Sequence, residues 1–362
     1  MKRLTFCLTL LLCQLTISLA QDKSIVPLAD PFILLDGDTY YAYGTNDPDG
    51  IAYWTSSDLR GWVKGNGLAL HKTNTTEQQW FWAPEVYFKN GQYYMYYSAN
   101  EHLFVATSSS PRGPFKQVGG YMMKNMLGDE KCIDSTVFFD DNGRTYVFFV
   151  RFTDGNCIWM CELEDDLITP KPETLRKCIN VSQPWEDLLG RVTEGPFILK
   201  RNNVYTLTYS GNDYRSQDYA VGYAQTRSLN TADGATPMWQ KYANNPIVRR
   251  VENLVGTGHH SLFTDKEGLL RIVFHAHDSE ANVAPRRMYI GTMALAGNRL
   301  YLTDDPIIRP TTPEQASISG TPVNSERPVA LFDLCGRRQP DLPTGLCIAQ
   351  MGDGSVRKVL CY

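Results

Sequence analysis

The chain has 362 residues, with 35 Lys and Arg against 39 Asp and Glu and a formal net charge of -4. No excess of basic residues is available to neutralise phosphates, so the composition argues against a nucleic-acid-binding protein. It argues equally against a protein that binds membranes through a basic surface.

The first twenty residues predict a secretory signal peptide. Lys2 and Arg3 form a basic start, an apolar stretch follows, and residues 18–20 provide a small-residue cleavage site. No later apolar run reaches the roughly 20 residues that a membrane helix needs. We therefore expect a soluble protein that is secreted or periplasmic. Anchoring at the cell surface through a lipid on Cys13 is the alternative.

Nine cysteines are present, and seven remain once Cys7 and Cys13 are removed with the signal peptide. An odd number leaves at least one thiol unpaired or bonded to another chain. Cys157 and Cys161 are four residues apart and would lie on one side of a strand. No cysteines and histidines have the spacing of a structural zinc site.

The body of the chain consists of five similar segments. Each has a polar residue, a short β-prone run, a turn and a second strand rich in Tyr, Val and Phe, which is typical of a β-hairpin. They are DPFILLDGDTYYAYGT from Asp30, PEVYFKNGQYYMYYS from Pro84, DSTVFFDDNGRTYVFFV from Asp134, EGPFILKRNNVYTLTYS from Glu194 and HSLFTDKEGLLRIVFHAH from His260. The turns centre on Gly37, Gly91, Gly143, Asn203 and Gly268, so the segment recurs every 52 to 65 residues.

Further short strands lie between the hairpins, in IAYWTSSDLRGW, LFVATSSSPRGPF, CIWMCELEDDL, AVGYAQTRSLN and MYIGTMALAGNRL. Four strands per repeat, arranged radially around a channel, form a β-propeller blade. We therefore predict an all-β fold, a five-bladed β-propeller over residues 21–311. A Pro-, Ser-, Thr- and Gly-rich linker would follow over 312–329 and a strand-rich tail over 330–362. A long β-sandwich or two separate β-domains is the alternative architecture.

Polar residues stand at the heads of the five innermost strands. In a propeller these heads meet at one mouth of the channel, so we expect convergence of Asp30, Glu85, Asp134, Glu194 and the pair His259-His260. Burial and like charges drive apart the pKa values of carboxyl groups that face one another, which creates an acid and a base. Taken singly, each residue has a structural alternative, such as a turn cap or an ion pair.

The same segments resemble glycoside hydrolase family 43, whose members are five-bladed propellers. ADPFILLDGDTYYAYGT is similar to the family's general-base strand, CIDSTVFFDDNGRTY to the strand of an auxiliary Asp and TEGPFILK to that of the general acid. FWAPEVYFKNGQYYMYYS and GTGHHSLF resemble two further family signatures, and the match spans about residues 26 to 311. The resemblance implies that Asp30 is the general base, Glu194 the general acid and Asp134 the residue that raises the pKa of the acid and orients it. The reaction implied is hydrolysis of a terminal arabinofuranosyl or xylosyl unit with inversion.

Five further residues are candidates for contacts with substrate. Trp82 would offer a flat face to a sugar ring or be buried in a blade, and Glu85 would shape the pocket or be a paired structural acid. Arg286 and Arg287 would reach substrate hydroxyls, or one of them would do so while the other is a surface cation. His259 matches the family's GxGH signature, which in some members lies near a calcium ion. Since no acidic loop suggests a cation site, we expect a hydrogen-bonding histidine and no required cofactor, with calcium as the alternative.

Two other motifs are assigned no catalytic role. NDPDG, residues 46–50, resembles the nucleophile motif of invertase-type propellers, but it follows the first hairpin and is a turn signal. The last thirty or so residues resemble the C-terminal sorting segments of secreted Bacteroidetes proteins. A strand-forming appendage on the last blade is the alternative.

Three functions remain open from the sequence. The first is an inverting exo-hydrolase that releases α-L-arabinofuranosyl or β-xylosyl units from plant cell-wall polysaccharides or oligosaccharides. The second is a hydrolase of galactosyl or internal arabinan linkages, and the third is a catalytically silent sugar-binding propeller. The third is disfavoured because a lectin has no need of the three acids. We expect a monomer whose partner is an oligosaccharide or polysaccharide.

Overall fold

The computed structural model describes residues 23–313 and 315–316, together with the backbone of four tail strands within 330–361. The chain divides into two compact units, one ending at Thr312 and the other beginning at Pro313. The signal peptide and most of the linker that the sequence predicts lie outside the described residues, so secretion stays a prediction. No helix in the described part of the chain has the length and apolarity to cross a membrane.

The first unit is made of five four-stranded antiparallel sheets, and within each sheet the strands neighbour one another in chain order. Blade 1 contains β1 (Ala29–Asp36), β2 (Thr39–Asp47), β3 (Gly50–Ser56) and β4 (Val63–His71), and blade 2 contains β5 (Trp82–Lys89), β6 (Gln92–Ala99), β7 (His102–Ser108) and β8 (Lys116–Val118). Blade 3 contains β9 (Cys132–Phe139), β10 (Thr145–Arg151), β11 (Cys157–Leu163) and β12 (Arg176–Ile179), and blade 4 contains β13 (Thr193–Arg201), β14 (Val204–Gly211), β15 (Ala220–Thr226) and β16 (Gln240–Lys241). Blade 5 contains β17 (Gly258–Thr264), β18 (Leu270–Ala276), β19 (Arg287–Ala296) and β20 (Arg299–Leu302). The predicted five-bladed propeller is confirmed.

Short helices occupy some of the connections. The α-helix α1 spans Lys124–Leu127, and 3-10 helices span Lys72–Asn74, Pro172–Thr174, Pro184–Glu186 and Ala232–Gly234. The predicted hairpin turns lie where the sequence indicates. In blade 2 the turn residues Asn90 and Gly91 have φ of 52° and 79°, the left-handed pair that suits a two-residue hairpin.

Five hydrophobic clusters lie between neighbouring blades and close the ring. Alternate residues of one strand face opposite clusters: Tyr41 and Tyr43 of β2 pack between blades 1 and 2, whereas Tyr40 and Ala42 pack between blades 5 and 1. In β10, Phe148 packs toward blade 4 and its neighbours toward blade 2. Both faces of these second strands are therefore buried, which explains the runs of large apolar and aromatic residues in β2, β6 and β10.

The two ends of the propeller are joined by backbone hydrogen bonds. Ile308 pairs with Ile290 of blade 5, and three residues later Thr311 accepts a hydrogen bond from the backbone N–H of Trp62 in blade 1. At the other end, the N–H of Met288 donates to the carbonyl of Val26. Blade 5 and blade 1 are therefore linked by chain segments from both ends of the domain.

The second unit contains four short strands that form an antiparallel sheet in the order β22-β21-β23-β24. They are β21 (Ala330–Phe332), β22 (Arg338–Gln339), β23 (Gly345–Gln350) and β24 (Val356–Cys361). A sorting role for this tail stays a prediction.

Candidate active site

Each innermost strand is interrupted by a β-bulge at the same place. The register of β1, β5, β9, β13 and β17 shifts near its first residues. One residue in each bulge has left-handed backbone: Asp30 (φ 50°), Ala83 (43°), Asp134 (57°), Gly195 (51°) and His259 (40°). A bulge turns a side chain away from the regular pleat, and left-handed backbone is costly for a residue with a Cβ. The repetition around the ring marks this mouth of the channel as the functional end.

The backbone N–H of each bulge residue donates to a side chain of the preceding blade. The pairs are Ala83 with Thr45 Oγ1 (2.9 Å), Asp134 with Ser98 Oγ (3.0 Å), Gly195 with Asp134 Oδ2 (3.2 Å), His259 with Ser210 Oγ (2.7 Å) and Asp30 with His275 Nδ1 (3.1 Å). Together these five bonds fix each strand head against its neighbour. The carboxyl groups that the strand heads carry are thereby held on a rigid frame.

Asp30 lies in a cationic environment. A guanidinium nitrogen of Arg286 donates to Asp30 Oδ1 at 2.8 Å, and the Nδ1 atoms of His259 and His275 each lie 3.3 Å from the same oxygen. Burial alone would raise the pKa of Asp30, but the charge of Arg286 is the largest opposing cause, and the pKa lies well below its usual range. Asp30 is therefore a carboxylate at neutral pH, as a general base must be.

Glu194 has neutral partners instead. The hydroxyl of Tyr219 donates to Oε1 at 2.8 Å and the amide of Asn156 donates to Oε2 at 2.8 Å. Burial, with a smaller contribution from the charge of Asp30, raises the pKa of Glu194 to about 7, although both hydrogen bonds oppose the rise. A substantial fraction of Glu194 therefore carries a proton at neutral pH, which a general acid requires.

Asp134 is buried with these two acids. Its Oδ2 accepts from the N–H of Gly195 and lies 3.9 Å from His259 Nδ1. Burial, then the charges of Glu194 and Asp30, raise the pKa of Asp134 well above its usual value. Because the carboxyls of Asp134 and Glu194 disfavour each other's ionisation, they compete for a proton.

The three histidines near Asp30 are neutral at physiological pH. Burial lowers the pKa of His259 and lowers those of His260 and His275 to about 3. His260 faces away from Asp30 and pairs through Nε2 with Thr208 Oγ1 at 2.7 Å. His275 stacks on Tyr219, with ring centroids 5.6 Å apart. His275 therefore joins the surroundings of the proposed base to a donor of the proposed acid.

The three acids line one cavity of about 360 Å³. Among the predicted residues, Asp30, Asp134, Glu194, Trp82, His259 and Arg286 line it, together with Glu101, Ile133, Phe152, Asn156, Val192, Asp213 and Tyr214. The guanidinium of Arg286 also lies over the Tyr214 ring, 4.6 Å from its centroid. The cavity is therefore charged at the strand heads and aromatic at its rim.

Two predicted substrate contacts lie elsewhere. Arg287 donates to Asp278 Oδ1 at 2.7 Å and to the carbonyl of Ser24, and it does not line the cavity. Glu85 follows the bulge residue of blade 2 by two positions and lines a separate small pocket that shares Asp30, Asp134 and His259 with the cavity. It accepts a short hydrogen bond from Tyr87. Burial raises the pKa of Glu85 to about 8. Glu85 is therefore a buried acid paired within the propeller.

Sequence reasoning missed the donors that distinguish the acids. Asn156 and Tyr219 stand just before the third strands of blades 3 and 4, and His275 lies near the end of β18. The only sequence signal was the polar segment SGNDYRSQDYAVGYA, from which Asp213, Tyr214 and Tyr219 reach the site.

The residues at this mouth do not form a metal centre in the described part of the chain. Among the described residues, no three His, Cys, Asp or Glu side chains are grouped so that they could hold a metal ion. His259 instead interacts with the carboxylates of Asp30 and Asp134. Calcium near His259 stays an alternative prediction.

A cavity that holds an ionised carboxylate opposite a partly protonated carboxyl has the acid–base pair that glycoside hydrolases use. Residues 25–297 match the model of Glycosyl hydrolases family 43. The chain belongs to this family and is an inverting glycosidase.

Solved and curated relatives agree with this assignment. The chain is 40% identical to an endo-1,4-beta-xylanase from Bacteroides thetaiotaomicron VPI-5482, with a TM-score of 0.73 and coverage of 80% of this chain and 99% of the other. It is 27% identical to beta-D-galactofuranosidase xynD of Aspergillus niger, over 68% of this chain and 73% of that protein. It is 24% identical to the extracellular exo-alpha-(1->5)-L-arabinofuranosidase ArbA of Cellvibrio japonicus, over 75% and 85% respectively.

Proposed function

We propose that this glycosidase releases terminal pentosyl units, α-L-arabinofuranosyl or β-xylosyl, from plant cell-wall polysaccharides or their oligosaccharides. In this proposal Asp30 is the general base, Glu194 the general acid and Asp134 the residue that keeps the acid protonated and oriented. The observation that carries the proposal is that two acids of one cavity have opposite partners: Asp30 accepts from the guanidinium of Arg286, whereas Glu194 accepts from the neutral donors Tyr219 and Asn156. The pKa of Asp30 lies well below its usual range, whereas that of Glu194 is about 7.

The residues of the cavity support a single-displacement reaction. Asp30 would take a proton from a water molecule, which attacks the anomeric carbon while Glu194 protonates the departing oxygen on the opposite face. The salt bridge to Arg286 keeps Asp30 ionised between turnovers. Afterwards Asp30 carries the proton and Glu194 is ionised, so exchange with solvent must restore both.

The size of the cavity supports a small terminal sugar. A volume of about 360 Å³ is near the lower end of the range of roughly 300 to 1,000 Å³ that is typical of ligand pockets. Trp82 offers an aromatic face at its edge, and such faces pack against the apolar side of sugar rings. The similar proteins include both an exo-acting arabinofuranosidase and an endo-xylanase, so the proposed exo action rests on the cavity.

A panel of nitrophenyl glycosides tests the proposal. Turnover of the α-L-arabinofuranoside or the β-xyloside, with little turnover of the galactosides, is the expected result. Sugars released from arabinan and arabinoxylan should be monomers from the first minutes. Early release of longer oligosaccharides would contradict exo action.

A galactosyl substrate is the second candidate, because the similarity to a galactofuranosidase extends over most of the chain. The same panel of nitrophenyl glycosides separates the pentosyl and galactosyl candidates. An enzyme specific for galactosyl units would hydrolyse only the galactofuranoside.

A further inference from the structure

A second open groove lies beside the catalytic cavity and has no part in the chemistry described above. Its volume is about 540 Å³, and its lining includes Asp47, Pro48, Asp49, Lys72, Gln78 and Trp80. Trp82 lines both this groove and the catalytic cavity. The two spaces are therefore adjacent along one wall.

The groove opens at the same mouth of the propeller as the active site. Its lining includes Asp47, Pro48 and Asp49 of the NDPDG motif, in the turn that joins β2 to β3. At this end of β2, Thr45 pairs with Ala29, the residue before Asp30. The opposite side comes from the segment that leads from blade 1 into β5.

Trp80 is exposed in an unusual way. Its side chain is 46% exposed, and its backbone φ of 60° is left-handed, which is uncommon for a bulky residue. Its ring lies nearly parallel to that of Trp82, with an interplanar angle of 16° and centroids 5.8 Å apart. The pair forms an aromatic surface that continues from the catalytic cavity into the groove.

The polar lining of the groove is fixed in place. Lys72 forms an ion pair with Asp49 at 2.6 Å, and its backbone N–H donates to the Asp49 carbonyl. Gln78 donates to the Lys72 carbonyl at 3.3 Å, and Asp47 accepts from the N–H of Asp49. An ordered surface of carboxylates and amides beside an indole suits a sugar ring, because hydroxyls bind the polar groups and the C–H face packs on the indole.

We propose that this groove binds a second, neutral sugar unit of the glycan substrate, further along the chain from the terminal unit in the catalytic cavity. Asp47 and Asp49 outnumber Lys72, so the groove repels the carboxylate of a uronic acid. The inference rests on the proposed function insofar as the catalytic cavity takes the terminal sugar. If the groove binds this second unit, the specificity of the enzyme depends on the glycan chain as well as on the terminal sugar.

The test compares Trp80→Ala with the matched control Phe88→Ala. Phe88 is an exposed aromatic residue, 53% accessible, near the hairpin end of β5 and away from the mouth. For Trp80→Ala we expect kcat/KM on arabinan or arabinoxylan to fall about tenfold, the loss of roughly one aromatic contact, with little change on nitrophenyl arabinofuranoside. Trp80→Phe should recover part of the loss, and Phe88→Ala should behave as wild type.

Equal losses on polymer and aryl glycoside would overturn the proposal, because Trp80 would then act by supporting Trp82 in the catalytic cavity. An unchanged kcat/KM on every polymer would overturn it as well.

A binding measurement separates this proposal from the proposed activity. In affinity gels containing arabinan, arabinoxylan, galactan or polygalacturonate, the Glu194→Gln variant should be retarded by at least one neutral polymer and not by polygalacturonate. Adding Trp80→Ala should abolish the retardation, whereas adding Phe88→Ala should not. The proposal that the groove binds sugar would be wrong if the Trp80→Ala variant were still retarded. It would also be wrong if no neutral polymer retarded the Glu194→Gln variant. Failure of the pentosidase proposal would appear instead in the glycoside panel.

Discussion

Asp30 and Glu194 are both buried acids at the heads of innermost strands, yet their surroundings differ. Asp30 contacts a guanidinium and two imidazoles, whereas Glu194 contacts a phenol and an amide. Burial raises both pKa values by itself. Only Asp30 has a full positive charge beside it, so only its pKa is lowered overall.

The comparison shows that one feature of the structure places the acids and another sets their protonation states. The bulges place acids at one mouth through a backbone pattern that all five blades share. The protonation state of each acid is set by its own surroundings: the charge of Arg286 lowers the pKa of Asp30, whereas burial raises that of Glu194 against the hydrogen bonds from Tyr219 and Asn156. Substitution of these partners should therefore move pH dependence while the frame stays intact.

Removal of either proposed catalytic group should have the largest effect. General acid–base catalysis contributes on the order of 10² to 10⁴ in rate. Asp30→Asn should lose about this factor in kcat/KM on all substrates, because the attacking water must be activated whichever leaving group departs. Glu194→Gln should lose as much on natural oligosaccharides and far less on nitrophenyl glycosides, whose phenolate departs without a proton. Equal losses for Glu194→Gln on both substrates would refute its role as the acid.

Asp134→Asn tests the coupling between the carboxyl groups of Asp134 and Glu194. Asp134 and Glu194 share protons, and the last of these leaves at high pH because the pKa of Asp134 is raised. With a neutral amide at position 134 this sharing is lost, so Glu194 should lose its proton at a lower pH. Glu194 acts in its protonated form, so activity should disappear at a lower pH on the alkaline side. We expect this limb of the kcat profile to move down by about one unit, with a loss of roughly tenfold or more at neutral pH. An unmoved limb would show that Asp134 acts only by position.

Arg286→Met removes the cation that keeps Asp30 ionised, and Arg287→Met is the neighbouring control. Asp30 must be deprotonated to act, and activity falls as pH drops through its pKa. Without Arg286 that pKa rises, so the acidic limb of kcat/KM should move up by about 1 to 3 units. Arg287 pairs with Asp278, so its variant should keep the wild-type limb. A shift in both variants would indicate a general change in charge rather than the local contact.

The fold was predictable because its inner strands carry strong signals. Both faces of each second strand are buried between blades, which gives runs such as YYMYYS and YVFFV that no surface element would have. The outermost strands were not individually visible. β8 and β16 have three and two residues and are mostly exposed, so they need no apolar pattern.

The sequence predicted the site residues only where an acidic residue stands at the start of an innermost strand. Asp30 and Asp134 are bulge residues and Glu194 precedes the bulge residue Gly195 by one position, whereas Glu85 follows Ala83 by two positions and does not line the cavity. Arg286 and Arg287 are neighbours in sequence and point to different partners, which depends on where β19 begins. The contacts of Asn156 and Tyr219 depend on how neighbouring blades pack, and no local pattern encodes that.

The smallest expected effect comes from a single hydroxyl. Tyr219 donates to Glu194 Oε1, which favours the ionised carboxylate and opposes the rise of its pKa. Tyr219→Phe should therefore raise the pKa of Glu194 above about 7, and the alkaline limb of the kcat profile should move up by a fraction of a unit. Tyr209→Phe is the matched control, because Tyr209 donates to the buried Glu186 at 2.6 Å and does not line the cavity. Its loss should lower stability by about 1 to 3 kcal/mol without moving the limb. A downward shift in Tyr219→Phe would mean that the phenol accepts the proton of Glu194, which would reverse the electrostatic role assigned to this contact.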